Sequence, residues 1–93
     1  MPADNRIPGI DHIQITIPQG REAEAREFYC RILGLVEIPK PVSLSGRGGF
    51  WLQLGPIQMH VGTEPEWDRM QTKAHVAYRV TDIVYWRARL AGE

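Results

Sequence analysis

The three histidines of the chain, His12, His60 and His75, are the residues best suited to chemistry. Imidazole is a common ligand of zinc, iron, nickel and copper, and three such ligands leave open positions on a metal for a substrate. A histidine in a strand also serves as a hydrogen-bonded packing residue. The histidines by themselves therefore indicate either a metal centre or three ordinary polar positions, and their placement must decide between the two.

Each histidine lies in a segment that alternates between apolar and polar residues, which is typical of a strand with one packed face. The segments are Ile10–Ile17, Ile57–Val61 and Ala74–Val80. Within each, the neighbours at odd offsets from the histidine are large and apolar, so the histidine is predicted to face away from the packed side. If these faces belong to one curved sheet, the imidazoles share a concavity. That concavity would also be lined by Gln14, Thr16, Trp51, Gln53 and Gln58.

Three further features are candidates for the site, and Cys30 is not. Trp51 falls on the wet face and is predicted to form the floor of a substrate pocket. Arg79 shares the face of His75, where it would bind an anionic substrate or form a salt bridge at the rim. The Ser43–Gly49 loop is rich in Ser and Gly, which favours a mobile lid or rim. Cys30 is interpreted as a structural thiol rather than a nucleophile, and no residue is assigned as the catalytic base.

The elements that must position these residues follow a repeated order. A helix over Arg21–Leu33 follows the first strand, and Leu35–Ile38, Phe50–Leu54 and Ile57–Val61 then read as three strands, the last two joined by a Gly-Pro turn. After Ala74–Val80, a second helix is predicted to begin at Thr81-Asp82. We interpret the chain as one domain, 1–93, with a βαβββ module over 1–64 and the start of a second module over 73–93.

Composition limits the classes of partner. Eleven Lys and Arg balance eleven Asp and Glu, which gives no electrostatic pattern for nucleic acid or an anionic membrane. No apolar stretch approaches the ~20 residues that span a bilayer. The single cysteine excludes an internal disulfide, and no signal peptide is recognisable, so a cytoplasmic location is expected. A small-molecule partner is therefore predicted.

Four segments, in this order and spacing, resemble the vicinal oxygen chelate superfamily of glyoxalases, bleomycin-resistance proteins and extradiol dioxygenases. They are IDHIQITIP, AREFYCRILGL, GFWLQLGPIQMHVG and AHVAYRVTDIVYWRARLAGE. The resemblance implies an α+β fold in which paired βαβββ modules form a curved mixed sheet with helices on its convex face. The second module is expected to be incomplete, because the chain stops before the last three strands.

The resemblance also implies a divalent metal, Fe, Mn, Ni or Zn, that binds two neighbouring oxygens of a substrate. Metal-using members take ligands from the first, fourth, fifth and eighth strands. His12 and His75 match the positions on the first and fifth strands. His60 falls where glyoxalase I-like members usually carry Glu or a comparable ligand, and where many dioxygenase-like and fosfomycin-resistance-like members have no ligand. The eighth-strand carboxylate has no counterpart in this chain. A homodimer is expected, because half-barrels of this superfamily often complete one another.

Two classes of function remain open at this stage. The first is a metal-dependent glyoxalase-like or dioxygenase-like enzyme, with His12, His60 and His75 as ligands and a small molecule with vicinal oxygens as substrate. Its substrate-binding residues would be Gln14, Trp51, Gln53, Gln58 and Arg79. The alternative is a metal-free protein that binds and sequesters a small molecule, in the manner of bleomycin-resistance proteins. A fragment of a longer protein is a third interpretation.

Overall fold

A computed structural model describes residues 5–93, so the first four positions of the predicted first module lie outside the described residues. The elements of that module follow the predicted order of strand, helix and three strands. The strands are β1 (His12–Pro18), β2 (Val36–Ile38), β3 (Phe50–Leu54) and β4 (Ile57–Glu64). Helix α1 (Glu22–Arg26) continues as a π-helical segment (Glu27–Ile32), and helix α2 (Ile83–Ala91) comes last.

The four strands form one curved mixed sheet in the order β1-β4-β3-β2. β1 runs parallel to β4, and the β3/β4 and β2/β3 pairs are antiparallel. The sheet with its accompanying helices confirms the predicted α+β class. Because side chains alternate along a strand, the register divides the sheet into two faces of different character.

One face carries the core. Phe50, Leu52, Met59 and Val61 are almost completely buried, and Ala25 of α1 packs in the same cluster. Isoleucines of β1 join this cluster from the neighbouring strand. Burial of these apolar side chains is the main stabilising contribution to so small a domain. The opposite side, which we call the open face, carries four side chains of interest here: His12, Gln14, Trp51 and His60.

The predicted strand over Ala74–Val80 is wrong, because this segment has no strand structure and all its residues are exposed. Alternation alone does not make a strand, since the backbone also needs a neighbouring strand with which to form hydrogen bonds. No strand among residues 5–93 pairs with this segment. Tyr78 nevertheless approaches the sheet, and its hydroxyl lies 3.5 Å from the sulfur of Met59.

The second helix begins where predicted. The Asp82 carboxylate accepts a hydrogen bond of 3.0 Å from the backbone N–H of Tyr85, which caps the first turn. At the other end, the guanidinium of Arg89 donates to the backbone carbonyls of Arg31 and Ile32, at 3.0 Å and 3.4 Å. Within residues 5–93, neither helix has the length and apolar character needed to span a bilayer.

The predicted mobile loop Ser43–Gly49 differs in the structure, where Val42–Arg47 forms a 3₁₀ helix. Lys40 holds the end of this helix, because its ammonium donates a 2.7 Å hydrogen bond to the carbonyl of Gly48. The Ser and Gly content of the loop did not predict this helix, in which the Ser45 hydroxyl donates a 2.8 Å hydrogen bond to the carbonyl of Val42. The 3₁₀ helix lies at the rim of the open face.

Candidate functional site

Three aromatic rings stack side by side across the open face. The His60 ring lies 3.7 Å from the Trp51 ring, with an angle of 2° between the planes. On its other side, His60 lies 4.3 Å from His12, at 17°. The register explains the arrangement, because Gln14 of β1 and Trp51 of β3 both pair with His60 of β4. The predicted common face of His12 and His60 is therefore confirmed.

A cavity of about 590 Å³ lies against this stack. Gln14 and Gly62 form part of its lining, and the two are so close that a Cβ at Gly62 would lie 2.8 Å from the Gln14 amide nitrogen. Lys40 and Arg47 line the cavity from the side of the 3₁₀ helix. The cavity thus combines an aromatic wall, an amide and two cationic side chains, which suits a small polar ligand.

His60 is the buried member of the stack, with only 8% of its surface exposed. Its Nε2 lies 3.0 Å from the side-chain oxygen of Gln58, so Nε2–H donates and the tautomer is set by that glutamine. Burial lowers the pKa of His60 from its ordinary value, and the neighbouring His12 lowers it further. Both effects favour the neutral form of the ring, and the contact with Gln58 orients it.

His12 and His75 differ from His60, because each is engaged through Nδ1 rather than through Nε2. Nδ1 of His12 lies 2.8 Å from a carboxylate oxygen of Asp11, and Nδ1 of His75 lies 3.0 Å from the carbonyl of Lys73. Because both partners are oxygen acceptors, each Nδ1 donates its hydrogen in the neutral ring, which leaves the Nε2 lone pair available. This is the orientation that metal-binding histidines usually show.

The stacked pair His12 and His60 does not fit a shared metal ion. A nitrogen lone pair lies in the plane of its imidazole, and a metal sits about 2.0–2.1 Å from that nitrogen. The two ring centroids lie 4.3 Å apart and the planes are only 17° from parallel, so the planes do not meet that close to both rings. One ring would have to leave the stack before both could bind the same ion.

His75 does not join the other two histidines in their cavity, so the predicted convergence of three imidazoles does not occur. It lines a second cavity of about 880 Å³ that follows the free edge of β1, together with Tyr29, Trp67 and Tyr78. Gln14 borders both cavities, so the two cavities adjoin each other at β1. Among residues 5–93, no three His, Cys, Asp or Glu side chains are grouped closely enough to hold a metal.

Of the predicted substrate-binding residues, some line the cavity beside the aromatic stack and others do not. Gln14 and Trp51 line the 590 Å³ cavity. Gln53 instead donates to the carbonyls of Gly55 and Ile57, at 2.7 Å and 3.1 Å, and so stabilises the hairpin turn. Gln58 is engaged with His60. Arg79 is exposed and lies outside the lining of both cavities, because the strand that was to direct it is not formed.

Sequence reasoning missed three residues at these cavities. Lys40 and Arg47 were not singled out, because nothing local shows that their segment returns to the open face. Trp67 was not singled out either, yet its indole N–H donates a 2.7 Å hydrogen bond to the carbonyl of Thr16 at the free edge of β1. An indole inside a polar segment was the one available signal, because Trp is rarely left without an apolar contact and a partner for its N–H.

The comparison with solved structures identifies the family. No protein-family model and no curated protein matches the sequence. Among solved structures, the chain is similar to a glyoxalase family protein from Bacillus anthracis, with 40% sequence identity and a TM-score of 0.86. That match covers 97% of this chain and 73% of the other.

Two other solved structures share the fold at lower identity. The fosfomycin resistance protein FosX from Listeria monocytogenes matches with 17% identity and a TM-score of 0.69, over 94% of this chain and 66% of that one. An integron cassette protein from the mobile metagenome of Halifax Harbour Sewage Outfall matches with 19% identity and a TM-score of 0.69, over 92% and 71%. With the 40% identity of the first match, these folds show that the chain belongs to the glyoxalase family of the vicinal oxygen chelate superfamily.

Proposed function

We propose that the protein is a metal-dependent enzyme of the glyoxalase-like or dioxygenase-like type, acting on a small molecule with vicinal oxygens. His12 and His75 are the proposed metal ligands, each through Nε2. The observation that carries this proposal is the shared arrangement of the two rings, in which an oxygen acceptor holds Nδ1 and leaves Nε2 available. His60 is not proposed as a ligand, because its Nε2 is engaged with Gln58 and its ring is stacked.

The metal is proposed from the family as well as from these contacts. A FosX variant from Listeria monocytogenes, similar in fold with 15% identity and a TM-score of 0.67, is complexed with Mn(II) and 1S,2S-dihydroxypropylphosphonic acid. A divalent ion of the Fe, Mn, Ni or Zn group suits imidazole nitrogen. When bound, such an ion supplies a Lewis acid that stabilises negative charge developing on the substrate oxygens. Two imidazoles leave coordination positions for further ligands and for the substrate.

The chain's own residues would position the substrate. The stack of His12, His60 and Trp51 forms a rigid wall, since each ring is held by its neighbour. Rigid aromatic surfaces orient a small ligand at low entropic cost. Gln14 borders both cavities and offers an amide to a substrate oxygen on the side where His75 lies.

Metal content of purified variants tests the proposed ligands. We expect His12→Ala and His75→Ala each to weaken metal binding by a factor of 10 to 100 or more, on the order of what even an outer-shell change costs. His60→Ala is the matched control and is expected to retain the metal. Elemental analysis with titration of Mn(II) into the metal-depleted protein measures this. Loss of the metal in His60→Ala with retention in His75→Ala would contradict the assignment.

A metal-free binding protein is the second candidate, and the aromatic wall favours it. A stacked wall beside a 590 Å³ cavity binds a small molecule whether or not an ion is present. Ligand-observed NMR with a library of small polar fragments tests this in the presence of EDTA. Under this candidate, hits persist with EDTA, disappear in Trp51→Ala and remain in Trp86→Ala, which changes an indole outside both cavities. Hits that need added metal would support the enzyme instead.

A homodimer is part of the proposal. Exposed apolar side chains cluster late in the chain, and they include Val76, Val80, Ile83 and Leu90. Exposed apolar side chains are the kind of surface that a second copy of the chain would cover. Sedimentation velocity measures the mass directly, and a monomer at micromolar concentration would remove the dimer from the proposal.

A further inference from the structure

The charge around the 590 Å³ cavity is one-sided. Lys40 and Arg47 line it, and none of the described residues in its lining is acidic. The arginines of the two helices that lie near carboxylates are paired with them, as Arg26 is with Glu37. The two cations at this cavity therefore differ from the paired arginines on the helix side of the sheet.

Neither cation forms an ion pair with a carboxylate among the described residues, and the Glu22 carboxylate behind the rim accepts instead from the backbone N–H of Gly49, at 3.4 Å. The ammonium of Lys40 is directed by its 2.7 Å hydrogen bond to the carbonyl of Gly48, which contributes a partial charge and no full negative charge. Arg47 lies at the end of the 3₁₀ helix and has neither a hydrogen bond nor an ion pair among the described residues. An exposed guanidinium with five donors and no acceptor is suited to bind carboxylate, phosphate or phosphonate oxygens.

We infer that the ligand of this cavity carries an anionic group, held at the rim by Arg47 and Lys40 while the rest of the molecule lies against the aromatic wall. The inference rests on the proposal that the open face binds the substrate, and it adds the chemical class of that substrate. Carboxylate, phosphate and phosphonate share the oxygen geometry that a guanidinium recognises. The cationic rim thus binds the anionic group of the ligand, and the aromatic wall contacts the remainder of the same molecule.

The test uses three anionic probes, sodium phosphate, methylphosphonate and acetate, and one neutral probe, 1,2-propanediol, at constant ionic strength. Binding is followed by the shift of the Trp51 indole N–H signal in two-dimensional NMR. The anions are expected to move this signal, and Arg47→Gln is expected to weaken their binding about tenfold, as loss of one charge-assisted contact does. The anion with the highest affinity identifies the group that the rim prefers.

Two further variants control the interpretation. Arg87→Gln removes a cation from the exposed surface of α2, away from the cavity, and is expected to leave anion binding unchanged. Lys40→Gln also removes the hydrogen bond to Gly48, so Lys40→Arg, which keeps the charge, should restore the affinity that Lys40→Gln loses.

Equal affinity for 1,2-propanediol, with no effect of Arg47→Gln, would overturn the anionic class and leave the open face as the binding site. Anion binding that shifts signals along the free edge of β1, with no change at Trp51, would also overturn the inference. The metal content of the His12 and His75 variants is measured independently, so failure of the anion test is distinguishable from failure of the proposed function.

Discussion

Gly49→Ala is expected to lower the free energy of unfolding by about 3 kcal/mol, one of the largest effects of any single change in the chain. A Cβ at this position would lie 2.1 Å from the carbonyl oxygen of Val61, which is backbone and is fixed in the sheet. The φ of +78° adds strain for any side chain. Urea unfolding followed by circular dichroism measures the loss.

Gly34→Ala is the matched control for this change. Its φ is +77°, almost identical to that of Gly49, but nothing lies within 4 Å of the added Cβ. We expect a loss of about 1 kcal/mol, the cost of the left-handed backbone alone. The difference between the two variants isolates the contact with Val61. Equal losses would show that Gly49 is not in close contact with β4, and would argue against the described position of the rim.

Leu52→Ala is expected to cost about 2–5 kcal/mol, since Leu52 has no exposed surface and its removal leaves a cavity in the core. Leu52 lies between Met59 of β4 and Glu37 of β2 in the register, at the centre of the sheet. Thermal unfolding measures the change. Should the variant not fold, Leu52→Val gives a smaller loss of the same origin.

Val36→Ala is the matched control for Leu52→Ala, because it truncates an apolar side chain of the sheet that lies outside the core. Val36 is also apolar and also in the sheet, but 67% of its surface is exposed. Its truncation is expected to change the free energy of unfolding by less than about 0.5 kcal/mol. A large loss of unfolding free energy at Val36 with a small one at Leu52 would show that the core lies on the opposite face of the sheet. That result would also contradict the site proposed on the open face.

The parts of the fold that sequence predicted are those set by local pattern. Alternation in β1, β3 and β4 fixes which side chains face the core, because a shift of one residue would bury the polar set. His12 and His60 therefore came out on the same face without knowledge of the tertiary structure. Asp82 likewise marks a helix start through a contact only three residues away.

The parts that sequence did not predict depend on contacts between distant residues. Ala74–Val80 alternates as β1 does, yet a strand needs a neighbouring strand as well as a pattern. The rim formed by Lys40 and Arg47 requires the chain to return to the open face after β2, and no local signal records that return. For the same reason, the stacking that separates His60 from the proposed ligands was visible only in three dimensions.

Histidine side-chain nitrogen NMR during titration with Zn(II) tests the central assignment most directly, because it reports each imidazole nitrogen separately. We expect the Nε2 signals of His12 and His75 to move to metal-bound values while His60 keeps its Nε2–H and its hydrogen bond to Gln58. Metal-bound nitrogen in His60, or an unchanged His75, would contradict it.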